Sequence, residues 1–195
     1  MIDALLRMDT ALFFFINNDL ANPIFDWVMP FITHKENWYP FFFVIIIGMV
    51  WKGGRQGRIA VLLLIPLIVL SDQITSSLIK PLVDRTRPCE AYQALGTVRA
   101  LIGVKTSPSF PSSHAANAFA AAMFFALFYP KRQWIYFVIA ALVAFSRIYV
   151  GVHYPLDVIA GGVIGVLCAL FVYACYYWLI RPRFQKSTPK PNDFE

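Results

Sequence analysis

The run PLDVIAGGVIGVLCALFVYACYYWLI, residues 155–180, is the longest clean apolar stretch of the chain. A bilayer core about 30 Å thick is crossed by roughly 20 apolar helical residues, so 155–180 reads as a membrane-spanning helix. Working back from it, residues 134–150 follow a short basic turn, and 112–129 are rich in Ala and Phe. Residues 59–80 begin as a solid apolar run and turn polar after Leu70, while 38–51 are almost wholly apolar and aromatic. The stretch 10–33 is the weakest, interrupted by Asn17, Asn18, Asp19, Asn22, Pro23 and Asp26. It reads either as one broken span or as an interfacial helix followed by a short one. The expectation is an all-α, multi-pass integral membrane bundle of about six transmembrane helices. It forms one domain over 1–183, followed by a polar tail, 184–195, expected to be disordered.

Composition agrees with this reading. Of 195 residues, 58% are apolar and only 14% charged, against about 25% charged in soluble domains. The net charge of +6 does not point to nucleic acid, because the basic residues sit in short clusters between apolar runs. Membrane topology and anionic headgroups explain them better. The cysteines Cys89, Cys168 and Cys175 form no CxxC pair and read as structural. The N-terminus carries Asp3 and Asp9 and lacks a basic n-region, so no cleavable signal peptide is expected.

Charge also assigns sides. Lys52, Arg55 and Arg58, then Lys131 and Arg132, then Arg181, Arg183, Lys186 and Lys190 follow alternate segments. All three clusters therefore share one face, the cytoplasmic one by the positive-inside rule, and the C-terminus lies there. Loop 81–111 and turn 148–154 fall on the external face. Yet that loop carries Arg85, Arg87, Arg99 and Lys105, and Arg147 closes the fifth segment on the same side. A bound anion supplies a reason for cations on the wrong face.

Three patches on that face carry chemistry. They are Lys80-Pro-Leu-Val-Asp-Arg-Thr-Arg87-Pro88; Pro111-Ser112-Ser113-His114; and Ser146-Arg147, five residues, His153, three residues, Asp157. Lys80, Arg87 and Arg147 are three cations, and arginine forks grip phosphate oxygens bidentately. Ser112 and the N–H groups after Pro111 sit at a helix N-terminus, a natural anion site. His114 and His153 suit a nucleophile and a general acid. Asp157, four residues beyond His153, suits a group that fixes the ring's tautomer. Pro155 favours a helix start just after His153.

Taken in order, Lys-x6-Arg-Pro, Pro-Ser-x-His and Ser-Arg-x5-His-x3-Asp resemble the signature of the type 2 phosphatidic acid phosphatase (PAP2) superfamily. The motifs cover residues 80–157. The residue before the second-motif histidine is often Gly in that family and is Ser113 here. A small residue is kept, so altered fine contacts are expected rather than lost activity. The resemblance implies that His153 attacks phosphorus to form a phosphohistidine, supported by Asp157. It implies that His114 protonates the leaving lipid oxygen and then helps to activate water. Lys80, Arg87, Ser112, Ser113 and Arg147 hold the phosphate, and the chemistry needs no metal or other cofactor. The implied partners are the bilayer and a membrane lipid phosphate. No nucleic acid and no obligate protein partner are expected. Small bacterial members act at the inner membrane with the site facing outward, and they suggest undecaprenyl diphosphate first, then phosphatidylglycerophosphate or lipid A 1-phosphate. A non-catalytic lipid-binding or transport protein is the competing class, and the complete His-Asp and His set counts against it.

Several residues have plainer readings. His34 matches no motif and reads as an interface residue. Thr75, Ser76 and Ser77 read as helix packing through small polar groups, and so does Gly161-Gly162-x-x-Gly165. Asp72 stays open, since an ionisable residue within a span defaults to function or pairs with a basic residue deeper in the bundle. Whether Arg85, Arg99 or Lys105 touches substrate is equally open. The runs Phe13–Phe15 and Phe41–Phe43 read as lipid-facing or belt residues.

Overall fold

A computed structural model describes residues 2–180; the tail 184–195, and the basic residues beyond Ile180, lie outside the described residues. Every element among them is helical. In chain order these are α1 (Ile2–Phe14), α2 (Pro23–Thr33), α3 (Tyr39–Lys52), α4 (Gly54–Asp72), α5 (Lys80–Val83), α6 (Pro88–Ala91), α7 (Ser113–Phe128), α8 (Gln133–Tyr149) and α9 (Pro155–Cys175). A π-helical stretch, Gln73–Ile79, joins α4 to α5. Two stretches are long and apolar enough to cross a bilayer, Gly54–Ala91 and Pro155–Leu179. α7 and α8 are also apolar but shorter.

The 10–33 stretch is two helices. α1 continues through a π turn, Phe15–Asp19, and the chain then breaks. Asn22 caps α2, its side chain accepting from the Phe25 N–H at 2.9 Å, with Pro23 at the first helical position. Cap and proline together make a strong helix start, which is why the polar interruption falls where it does. α1 packs on α9 and α2 on α8.

The centre of the bundle is α7 against α8 and α9. α7 presents Ala115, Ala116 and Ala120, all wholly buried, and α9 presents Gly161, Gly162 and Gly165. A Cβ at Gly161 would strike the Ser112 carbonyl oxygen, and one at Gly165 the Ala116 carbonyl oxygen. Small residues thus let two backbones approach closely, the usual device of membrane helices. This agrees with the packing role expected for the glycine stretch.

One aromatic expectation needs correction. Phe13 is 0% exposed and packs edge-on to Tyr154, 5.4 Å between ring centroids. Phe14 packs similarly on Tyr92. These rings bury the inner face of α1 against the start of α9, so only Phe15 of that run faces outward. Phe41, Phe42 and Phe43 are all more than half exposed, as a lipid-facing run requires. Thr75 and Ser76 pack as expected: both hydroxyls meet the Ser113 hydroxyl, at 3.1 and 2.9 Å. Asp72 lies beside neutral groups, Asn117 at 3.4 Å and Ser76 at 3.5 Å.

Candidate active site

The three patches converge at one end of the bundle. α8 ends on Arg147 and Tyr149, and the chain turns through Val150–Tyr154 into α9. Gly151 makes that turn with φ +88°, and a Cβ there would meet the Arg99 carbonyl oxygen at 2.7 Å. Only glycine suits both constraints. The turn places His153, 1% exposed, one residue ahead of the Tyr154 N-cap. Asp157 is the third helical residue of α9, and its Oδ2 accepts the Tyr154 N–H at 2.9 Å. The carboxylate thereby caps the helix that carries it.

His153 Nδ1 lies 3.5 Å from Asp157 Oδ2. On the other side, Arg87 Nη1 lies 3.1 Å from His153 Nε2. A guanidinium only donates, so Nε2 is the acceptor and the proton of the neutral ring sits on Nδ1, which lies near Asp157 but makes no hydrogen bond among the described residues. That tautomer puts the ring's lone pair on Nε2, the atom a nucleophile would use, where it accepts from Arg87 Nη1 until an anion draws that donor away. Burial pushes the His153 imidazole well below its ordinary range, and the charges of Arg87, Arg147 and Lys80 push it further. The ring is neutral at pH 7.

Arg87 is 5% exposed and held by loop carbonyls. It donates to Ser107 O at 2.6 Å, Val152 O at 3.0 Å and Pro108 O at 3.3 Å, and to Ser107 Oγ at 3.1 Å. Arg147 donates from Nη1 to Thr33 Oγ1 at 2.5 Å, and its buried Nε has no hydrogen-bond partner among the described residues. A buried donor without an acceptor is costly, and an anion oxygen is the partner it suits. Lys80 and His114 are half-buried. His114 lies within range of the charges of Arg147 and Lys80.

Two predicted residues sit differently from the rest. The Ser112 hydroxyl is wholly buried and caps α7 by accepting from the Ala115 N–H at 3.5 Å. Its N–H donates to the Asp157 carbonyl oxygen at 2.9 Å, which ties α7 to α9. Ser113 turns its hydroxyl to Thr75 and Ser76. In this arrangement Ser112 caps the α7 N-terminus, whose first N–H groups have no intrahelical acceptor, and Ser113 ties that end to the Gln73–Ile79 stretch.

Of the open loop cations, Arg99 ion-pairs with Asp26 and Lys105 is exposed. Arg85 lies against the site: it donates to Asp157 Oδ1 at 2.7 Å and to Asp9 Oδ2 at 2.6 Å. Asp9 and Thr33 were not foreseen. An acid within an apolar helix is a signal that could have found Asp9; nothing in the sequence marks Thr33.

The PAP2 superfamily model matches residues 61–181. Over 98% of this chain and 87% of the relative, the sequence is 31% identical to the lipid A 4'-phosphatase of Bacteroides thetaiotaomicron. It is 32% identical to the undecaprenyl-diphosphatase of Sulfolobus acidocaldarius, over 82% of this chain and 74% of that one. The crystal structure of Aquifex aeolicus LpxE superposes with a TM-score of 0.69 at 29% identity, covering 85% of this chain and 94% of that chain. A transmembrane PAP2-type phosphatidylglycerolphosphate phosphatase from Bacillus subtilis superposes with a TM-score of 0.66 at 27% identity, covering 91% and 89%. Motif order, helical architecture and whole-chain similarity agree, and the chain belongs to the PAP2 superfamily, whose phosphatases are hydrolases of phosphate esters.

Proposed function

We propose that the protein is a membrane lipid phosphatase working through a phosphohistidine on His153. The observation that carries this is the placement of the His153 ring: Nδ1 lies 3.5 Å from the Asp157 carboxylate, while Nε2 lies 3.1 Å from the Arg87 guanidinium. In the first step Nε2 attacks phosphorus, the N–P bond forms and the lipid P–O bond breaks. The anionic phosphate offsets the surrounding cations and lets His114 take up a proton, which His114 then gives to the leaving lipid oxygen. In the second step His114 takes a proton from water, which attacks phosphorus and breaks the N–P bond. Inorganic phosphate leaves. Lys80, Arg87 and Arg147 hold the phosphoryl oxygens as charge develops, ordinarily a large electrostatic contribution. Ser112 and Ser113 act on the same oxygens through the α7 N-terminus. No step uses a metal.

The reading extends to membrane placement. Residues 1–183 form one domain of about six spans, in the cytoplasmic membrane of a bacterium, with the site at the outer face and the C-terminus inside. The basic clusters Lys52, Arg55, Arg58 and Lys131, Arg132 support that orientation. For substrate, similarity over nearly the whole chain favours a lipid A phosphate. Undecaprenyl diphosphate, first from sequence, is the second reading, favoured by the diphosphatase relative.

The test is phosphate release by purified protein in detergent with EDTA, using lipid A, undecaprenyl diphosphate, phosphatidylglycerophosphate and phosphatidic acid. Release that disappears in His153→Ala is expected, and the lipid hydrolysed fastest identifies the substrate. Release unchanged in His153→Ala, or none from any lipid, contradicts the reading and favours a lipid-binding protein.

A further inference from the structure

The buried carboxylate of Asp9 is not used by this chemistry, although Arg85 joins it to the Asp157 carboxylate beside the reacting histidine. Asp9 is 4% exposed and both its oxygens are engaged. Oδ2 accepts from Arg85 at 2.6 Å, and Oδ1 accepts the N–H of Leu156 at 2.8 Å. Leu156 is the residue before Asp157. Arg85 reaches Asp157 with its other nitrogen, at 2.7 Å, and its guanidinium lies 3.9 Å from the centroid of the Tyr154 ring. One arginine thus bridges two buried carboxylates, one on α1 and one on α9.

Charge counting shows what the second carboxylate does. When Nε2 attacks phosphorus, positive charge develops on the His153 ring, and a net negative charge behind Nδ1 stabilises it. Asp157 paired with Arg85 alone would present no net charge. Asp9 brings the group Asp9–Arg85–Asp157 to a net −1. It also shares the arginine fork, so only one guanidinium nitrogen bonds to Asp157, through Oδ1, while Oδ2 stays 3.5 Å from His153 Nδ1.

We propose that Asp9 is a positioning residue for the phosphatase reaction, acting through Arg85 to hold both the orientation and the net charge of Asp157 behind His153. This rests on the phosphohistidine reading above. It makes the first helix part of the catalytic apparatus rather than only a packing element.

The test uses the full chain in detergent, with the lipid of the release panel that wild-type protein hydrolyses fastest. In Asp9→Asn the Leu156 acceptor is kept and the charge is lost. The expected result is a kcat lower by about tenfold to a hundredfold, the usual scale for a misplaced catalytic group, with KM within about twofold because the phosphate-holding cations are untouched. Asp9→Glu restores kcat to within about threefold of wild type. The decisive variant is the double Asp9→Asn with Arg85→Gln. It returns the net charge behind His153 to −1, so it is faster than Asp9→Asn alone, whereas a purely structural ion network predicts that it is slower. Wild-type kcat in Asp9→Asn, or a double variant slower than the single, overturns the proposal while leaving the His153 result standing. Should Asp9→Asn not fold, Asp9→Glu and the double variant decide: both within about tenfold of wild type supports the proposal, and either slower than that overturns it. Absence of His153-dependent release from the wild type sinks the phosphohistidine reading itself, and this proposal with it.

Discussion

At the scale of single residues, the site is a neutral histidine held between an anion and a guanidinium. His153 was legible from its spacing to Asp157, because i,i+4 residues meet on a helix start. The tautomer was not, since it depends on Arg87 Nη1 at 3.1 Å, a contact made across 66 residues of chain. Two variants follow. Asp157→Asn offers an amide donor in place of a carboxylate oxygen, which favours the wrong tautomer, and kcat is expected to fall by about 10³- to 10⁴-fold. Steady-state rates with unchanged KM check this. Arg87→Lys keeps a charge but cannot span Ser107, Pro108, Val152 and a phosphate at once. It is expected to lower kcat/KM by about a hundredfold, and near-normal kinetics would show that the fork is not needed.

At the scale of elements, the close pairing of α7 and α9 sets where the two histidines stand. The Ser112 N–H bond to the Asp157 carbonyl oxygen, 2.9 Å, fastens the start of one helix to the start of the other. The small residues that allow it, Gly161 and Gly165 against Ser112 and Ala116, were readable as packing glycines from the sequence. What they pack against was not, because apolar periodicity names a face and not its partner. Gly165→Val would drive a branched side chain into the α7 backbone. The expected cost is about 1–3 kcal/mol or more, read as a lower thermal midpoint in detergent with reduced activity. An unchanged midpoint would mean that α7 and α9 are not in such close contact. The first helix shows the opposite limit of sequence reading. Its Phe13 looked lipid-facing and is buried, because aromatic runs serve lipid and core equally well and only the Tyr154 contact distinguishes them.

For the whole molecule, all three patches meet at one end of a helical bundle, where Arg87 reaches His153 and the α7 N-terminus reaches Asp157. Orientation is tested by replacing the native cysteines Cys89, Cys168 and Cys175 and introducing single ones. With a membrane-impermeant maleimide on intact cells, Leu95→Cys, exposed in the 81–111 loop, is expected to be labelled. Lys131→Cys, exposed between α7 and α8, is labelled only after the cells are opened. The reverse pattern would put the site on the cytoplasmic face.

The central claim is covalent catalysis by His153, and trapping the intermediate tests it most directly. Protein mixed with lipid labelled in its phosphate should be quenched in alkali within a turnover and digested for mass spectrometry. An acid-labile, alkali-stable phosphate on the peptide carrying His153, absent in His153→Ala, is the predicted result. Label on another residue, or rapid turnover with no phosphoprotein at any quench time, would contradict it.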